Sequence, residues 1–146
     1  MEEIHLNYDV PLEIWQIIID DLNLTEQISF KTVCSRFKDL VVTNIYNISY
    51  KARKLLTDDS LKQLKGVREL NISFNEQITN EGLKHINPYK LNITNCSKIT
   101  DIKHMTNLRE LYASYKCGVD FDNIKELPSL NKIIATNNKK LISSPN

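Results

Sequence analysis

Only three glycines occur in the 146 residues, Gly66, Gly82 and Gly118, and no two of them fall in a phosphate-loop spacing. Cysteine is equally sparse: Cys34, Cys96 and Cys117 lie more than twenty residues apart and form no CxxC pair, which argues against a zinc site or a disulfide framework. There is no nucleophile elbow and no HExxH, so catalytic residues, a metal and a cofactor are not expected. The formal net charge is +1, too little to draw in nucleic acid or an anionic membrane. No stretch approaches the roughly 20 consecutive apolar residues of a membrane span, Ile17-Ile18-Ile19 being the densest run. The sequence opens Met1-Glu2-Glu3, acidic where a secretory leader is basic. An intracellular, reducing location is therefore expected, cytoplasmic or nuclear, with the thiols free.

What is present begins at Asp9. Pro11 suits the first turn of a helix, where a missing N–H costs nothing, and Asp9 lies near the positive end of that helix dipole. Ile14, Ile18 and Leu22 then recur at i, i+4 and i+8 beside Trp15 and Ile19. These five span an arc of roughly 140°, wider than the ~100° that an ordinary surface helix buries. The surplus predicts burial on two sides. Thr25 is a plausible N-cap for a second helix carrying Ile28, Phe30 and Val33, and a third runs from about Ser35 with Phe37, Leu40 and Val41. Three short helices bury too little area to stand alone, so they must lean on the rest of the chain or on a partner.

The ungapped order Val10-Pro11-x-Glu13-Ile14, Ile18, Leu22, Leu24, Ile28, Val33-Cys34, Arg36-Phe37 and Leu40 resembles an F-box. The departures are Val10 where that family most often has Leu, and Phe37 where it often has Trp. The resemblance implies a three-helix module at residues 5–44 that docks on the Skp adaptor of a cullin-type ubiquitin ligase. It implies that Val10, Pro11, Ile14, Ile18, Leu22, Val33 and Phe37 line the docking surface. The competing explanation is a helical cap that merely shields the first repeat of the segment that follows.

That segment repeats itself. Val67-x-x-Leu70-x-Ile72-x-x-Asn75, Leu91-x-Ile93-x-x-Cys96, Leu108-x-x-Leu111-x-Ala113 and Leu130-x-x-Ile133-x-Ala135-x-x-Asn138 align, with Ile45-x-x-Ile48-x-Tyr50 as a degenerate first copy. The anchors 48, 70, 91, 111 and 133 are 22, 21, 20 and 22 apart. A shorter phrase intervenes, Leu61 to Leu64, Leu83 to Ile86, Ile102 to Met105 and Ile124 to Leu127, with the i, i+3 spacing of one helical or 3₁₀ turn. The pattern is similar to the leucine-rich repeat. The expected fold class is thus α/β: an N-terminal F-box, then about five repeats over 45–142 forming a short solenoid with a parallel sheet on its concave face. Asn75, Cys96 and Asn138 would bond backbone groups left unpaired as the chain leaves each strand. Arg53 and Lys116 do not suit that role, so distortion is expected there, with Cys117 substituting by a one-residue slip. The short Pro88-Tyr89 connection makes the third strand's start uncertain.

On the outward face the residues before the anchors, Asn47, Glu69, Lys90, Glu110 and Lys132, should form a ladder of alternating charge, unsuited to nucleic acid. The column after the anchors is Ser49, Asn71, Asn92, Tyr112 and Ile134, and Phe74 and Tyr115 follow two or three residues on. Phe74, Tyr112, Tyr115 and Ile134 are the candidate contacts for a protein partner, since exposed aromatics are favoured anchors. His85 and His104 match between repeats, without a third ligand for a metal. Asp20-Asp21 and Asp58-Asp59 read as solvated faces or helix starts. The last repeat, ending near Leu141-Ile142, should leave apolar anchors uncovered.

The two resemblances together imply an adaptor linking an unidentified target protein to a cullin through Skp, with transfer chemistry left to other subunits. Two further readings are a decoy that occupies the adaptor and a repeat-only interaction protein. The excess of lysine over arginine and the abundance of Ile and Asn suit an AT-rich coding sequence, as in some protists or large DNA viruses; a viral protein would act in the host cell.

Overall fold

In a computed structural model of the protein, the described residues are Glu26 and 44–142, with Gln63 and Lys65 excepted. The seven residues from Val10 to Phe37 that are expected to face an adaptor lie outside them, as do Asp20, Asp21, Cys34 and residues 143–146. Glu26 is helical and exposed.

Among the described residues five short strands form one parallel sheet in chain order: β1 (Asn44–Ile45), β2 (Glu69–Asn71), β3 (Lys90–Asn92), β4 (Glu110–Tyr112) and β5 (Lys132–Ile134). Parallel neighbours require the chain to cross back between strands. The crossovers carry α1 (Tyr50–Leu55), α2 (Asp58–Lys62), α3 (Asn80–Leu83) and α4 (Phe121–Ile124), and α5 (Lys139–Ile142) follows β5. Between β3 and β4 the return is made by turns alone. No helix among the described residues is long and apolar enough to cross a membrane.

The anchors Leu70, Leu91, Leu111 and Ile133 stand side by side, as their spacing predicts. The first copy needs correction. Ile45, not Ile48, pairs with Leu70, and Asn44, not Asn47, pairs with Glu69. Local chemistry explains the shift: Ser49 accepts the N–H of Ala52 (3.2 Å) as N-cap of α1, so Ser49 and Tyr50 belong to a helix start and not to a strand. Arg53, inside α1, therefore holds no post-strand position.

Burial follows the strand alternation. Leu70, Leu91 and Leu111 are fully buried, with Ile72, Ile93 and Ala113 next to them. The intervening phrase forms one turn each time, the N–H of Leu64, Ile86, Met105 and Leu127 donating to the carbonyl three residues back at 2.9–3.1 Å. A second such turn leads to Val67, Leu108 and Leu130. Pro88 holds that place before β3; it is buried, and having no N–H it omits the bond and shortens the path by one residue.

After each strand from β2 to β5 the chain turns through one left-handed residue: Phe74 (φ 61°), Asn95 (60°), Tyr115 (59°) and Asn137 (58°). The next side chain then enters the core. Asn75 donates to the carbonyls of Arg53 (2.6 Å) and Leu56 (2.8 Å) and accepts from the N–H groups of Gln77 and Ile78, both 2.8 Å. The Cys96 thiol donates to the Ile72 carbonyl (3.1 Å), and Asn138 to that of Ala113 (2.7 Å). In the fourth repeat Lys116 is exposed and Cys117 is buried one residue later. Gly118 makes the slip possible, because a Cβ there would strike the carbonyl oxygens of Ile99 and Ser97.

Candidate functional site

The outward face of the sheet is built from the residues flanking the buried anchors. Glu69, Lys90, Glu110 and Lys132 stand in register on four consecutive strands. Lys90 Nζ lies 3.9 Å from Glu69 and Lys132 Nζ 3.2 Å from Glu110. The hydrogen bond from Lys132 holds the Glu110 carboxyl below its ordinary range. The charges thus cancel in pairs across these four strands.

Two tyrosines project over this ladder. Tyr46 follows the β1 anchor and Tyr112 the β4 anchor, three strands apart, yet their rings meet edge to face at 6.2 Å. They converge above Asn71 and Asn92, whose amide oxygens fold back onto the N–H groups of Ser73 (3.1 Å) and Thr94 (3.0 Å). Lys90 sits 4.1 Å from the Tyr46 ring centre and Lys132 5.5 Å from that of Tyr112. Burial, with the neighbouring Tyr112, pushes the Tyr46 phenol up to about 12, so it stays protonated at neutral pH. Such an assembly offers aromatic area, phenol donors and paired charges, which is the chemistry of a protein contact.

The four partner-contact candidates fall into two rows. Tyr112 and Ile134 are register neighbours on the strand face. Phe74 and Tyr115 share the left-handed position after their strands, with Asn95 holding it between them. Asparagine tolerates this conformation, whereas a bulky aromatic there costs about 1–2 kcal/mol. Phe74 packs edge to face on Tyr50 at 6.2 Å. Tyr46 and Tyr50 escape a sequence reading because both depend on where β1 begins; the triplet Asn44-Ile45-Tyr46, with the polar-apolar-polar look of Glu69-Leu70-Asn71, was the available signal.

Other reactive side chains have structural partners. His104 Nε2 donates to the carbonyls of Leu83 (2.9 Å) and Ile86 (3.2 Å), closing the turn of the preceding repeat. Asp58 accepts both the N–H (2.8 Å) and hydroxyl (2.7 Å) of Thr79, and Asp59 pairs with Lys62. One repeat on, Asn80 accepts the Thr100 N–H at 2.8 Å in the same manner. Burial pushes the Cys96 thiol up to about 12 and raises that of Cys117, which leaves both unreactive as nucleophiles.

Residues 8–49 match the family model of the F-box domain. The match covers less than a third of the chain, contains β1, and ends at Ser49, the residue that caps α1. No curated protein matches the sequence.

Proposed function

We propose that this protein is a non-catalytic substrate receptor of a cullin-type ubiquitin ligase. The observation that carries the reading is the F-box match at residues 8–49, which runs into a repeating parallel sheet with an aromatic outer face. F-box domains in general bind Skp adaptors, which connect to a cullin. In this reading Val10, Pro11, Ile14, Ile18 and Leu22 form the docking stripe, and Val33 and Phe37 join it from the later helices. The repeats are read as leucine-rich repeats, from their period of 20–22 residues after β2, the buried anchors of β2, β3 and β4 and the Asn or Cys that closes each turn. Their exposed face, with Tyr112 and Ile134 on the strands and Phe74 and Tyr115 at its margin, is the surface offered to a target protein. The complex would work in the cytoplasm or nucleus, of a host cell if the protein is viral.

The test is co-purification with a Skp adaptor. Replacing Pro11 with Ala and Ile14 with Asp would bury a charge in the contact and should abolish capture, while far-ultraviolet dichroism and melting of the repeats stay as in the wild type. Wild-type capture by the double variant would sink the reading. Target ubiquitination in the reconstituted ligase then separates a receptor from a decoy that only occupies the adaptor.

A further inference from the structure

We infer that the N-terminal edge of the sheet carries an oxyanion-binding cleft, shaped for a phosphoryl or carboxylate group. Two residues before the anchors the chain places Arg68, Tyr89 and Arg109 directly ahead of β2, β3 and β4, and the preceding turns bring Asn87, Asn107 and Ser129 beside them. These six residues line an open cleft of about 440 Å³.

The donors in this cleft divide into those already engaged and those that are not. The carbonyls of Arg68, Tyr89 and Arg109 each accept two N–H groups from the start of the next repeat, so these acceptors are already satisfied. Asn87 is bonded at both ends of its amide, to the Thr106 hydroxyl and the Asn107 N–H. Arg68 already interacts within the chain and contributes charge. The Arg109 guanidinium, the Asn107 amide and the Ser129 hydroxyl have no side-chain partner among the described residues, and all three face the cleft.

Nearby carboxylates do not neutralise it. Glu69 takes the Tyr89 hydroxyl and lies 3.9 Å from Lys90, and Glu110 is bonded to Lys132 (3.2 Å) and to the Tyr112 hydroxyl (3.3 Å). Each acid is thus matched by a lysine on the following strand, and neither pairs with the Arg109 guanidinium. A guanidinium fork flanked by an amide and a hydroxyl is the donor set that surrounds a planar carboxylate or a phosphoryl group. The cleft goes beyond the adaptor reading and does not depend on it.

Inorganic phosphate and acetate, titrated separately into the full ¹⁵N-labelled chain against a chloride control of equal ionic strength, test the inference. At least one should give saturable millimolar shifts, about 1–10 mM in Kd, centred on Asn107, Arg109 and Ser129. Tighter binding of phosphate assigns a phosphoryl source, and equal or tighter binding of acetate assigns a carboxylate. Arg109→Gln should weaken the preferred anion about tenfold, since one charge-assisted fork is lost. Lys98→Gln, the same charge change after β3, should leave it alone. The inference fails if neither anion saturates, if shifts spread over all exposed lysines, or if Arg109→Gln titrates like the wild type. Failure to capture a Skp adaptor would leave every one of these readings intact.

Discussion

Leu91 on β3 and Ile133 on β5 hold the same place in the repeat, yet the first is fully buried and the second 43 % exposed. Their sequences differ little. What differs is the number of neighbours: β3 lies between β2 and β4, whereas β5 pairs only with β4 among the described strands. In a stacked array each repeat closes its neighbour's core, so the pattern of a repeat specifies which side chains turn inward, and the adjacent copies determine whether they are dry. Ile134 and Ile142 are exposed at the same end.

The largest expected effect uses that pair directly. Leu91→Ala should cost about 3–4 kcal/mol, because a fully packed leucine leaves a cavity. Ile133→Ala should cost only about 1 kcal/mol, since much of its surface is already in water. Denaturant midpoints at constant m-value would measure both. Equal losses would mean that something covers β5 in solution.

A smaller difference is expected among the asparagines that close the turns. Asn75→Ala removes four hydrogen bonds, including those to the carbonyls of Arg53 and Leu56, and should cost about 2–3 kcal/mol. Asn138→Ala removes the bond to Ala113 and that from the Lys140 N–H, whose residue is exposed and can turn to water. About 1 kcal/mol is expected there, by the same midpoint measurement. If Asn138→Ala proved the more damaging, the end of the array would be better ordered than its exposure indicates.

The sequence exposes its repeats well where periodicity and burial coincide. Leu70, Leu91 and Leu111 are identifiable from spacing, and so is the slip at Cys117, because lysine cannot fill an apolar slot. The beginning of the array is harder to place. β1 has two residues, and a serine N-cap outweighs the strand pattern directly after it. Contacts between repeats, such as Asp58 to Thr79, are hidden for a different reason: they require the register to be known before they can be named. Asn95 and Asn137 advertise the left-handed turn, but Phe74 and Tyr115 conceal it, since neither residue type favours that backbone. The Arg109 cleft was also invisible, its members coming from three turns with no shared motif.

The finest comparison is between the two ion pairs of the outward face. Glu69 and Lys90 have side chains 22 % and 23 % exposed, against 30 % for Glu110 and 48 % for Lys132. Glu110→Gln should lower the melting temperature slightly at neutral pH and low salt, because Lys132 loses its partner. Since the folded protein depresses the Glu110 pKa, that contribution is fully present above about pH 4.3, the ordinary glutamate value, and disappears as the pH falls through the lower folded value. The melting curves of variant and wild type should therefore converge in strong acid, and also in high salt, where exposed charges are screened. Glu69→Gln should show a gap that survives salt better, its partner being more enclosed and its carboxylate also holding the Tyr89 hydroxyl. A Glu110→Gln gap that stayed the same in high salt and in acid would show that the glutamate acts there through packing, and the electrostatic account of the ladder would fail.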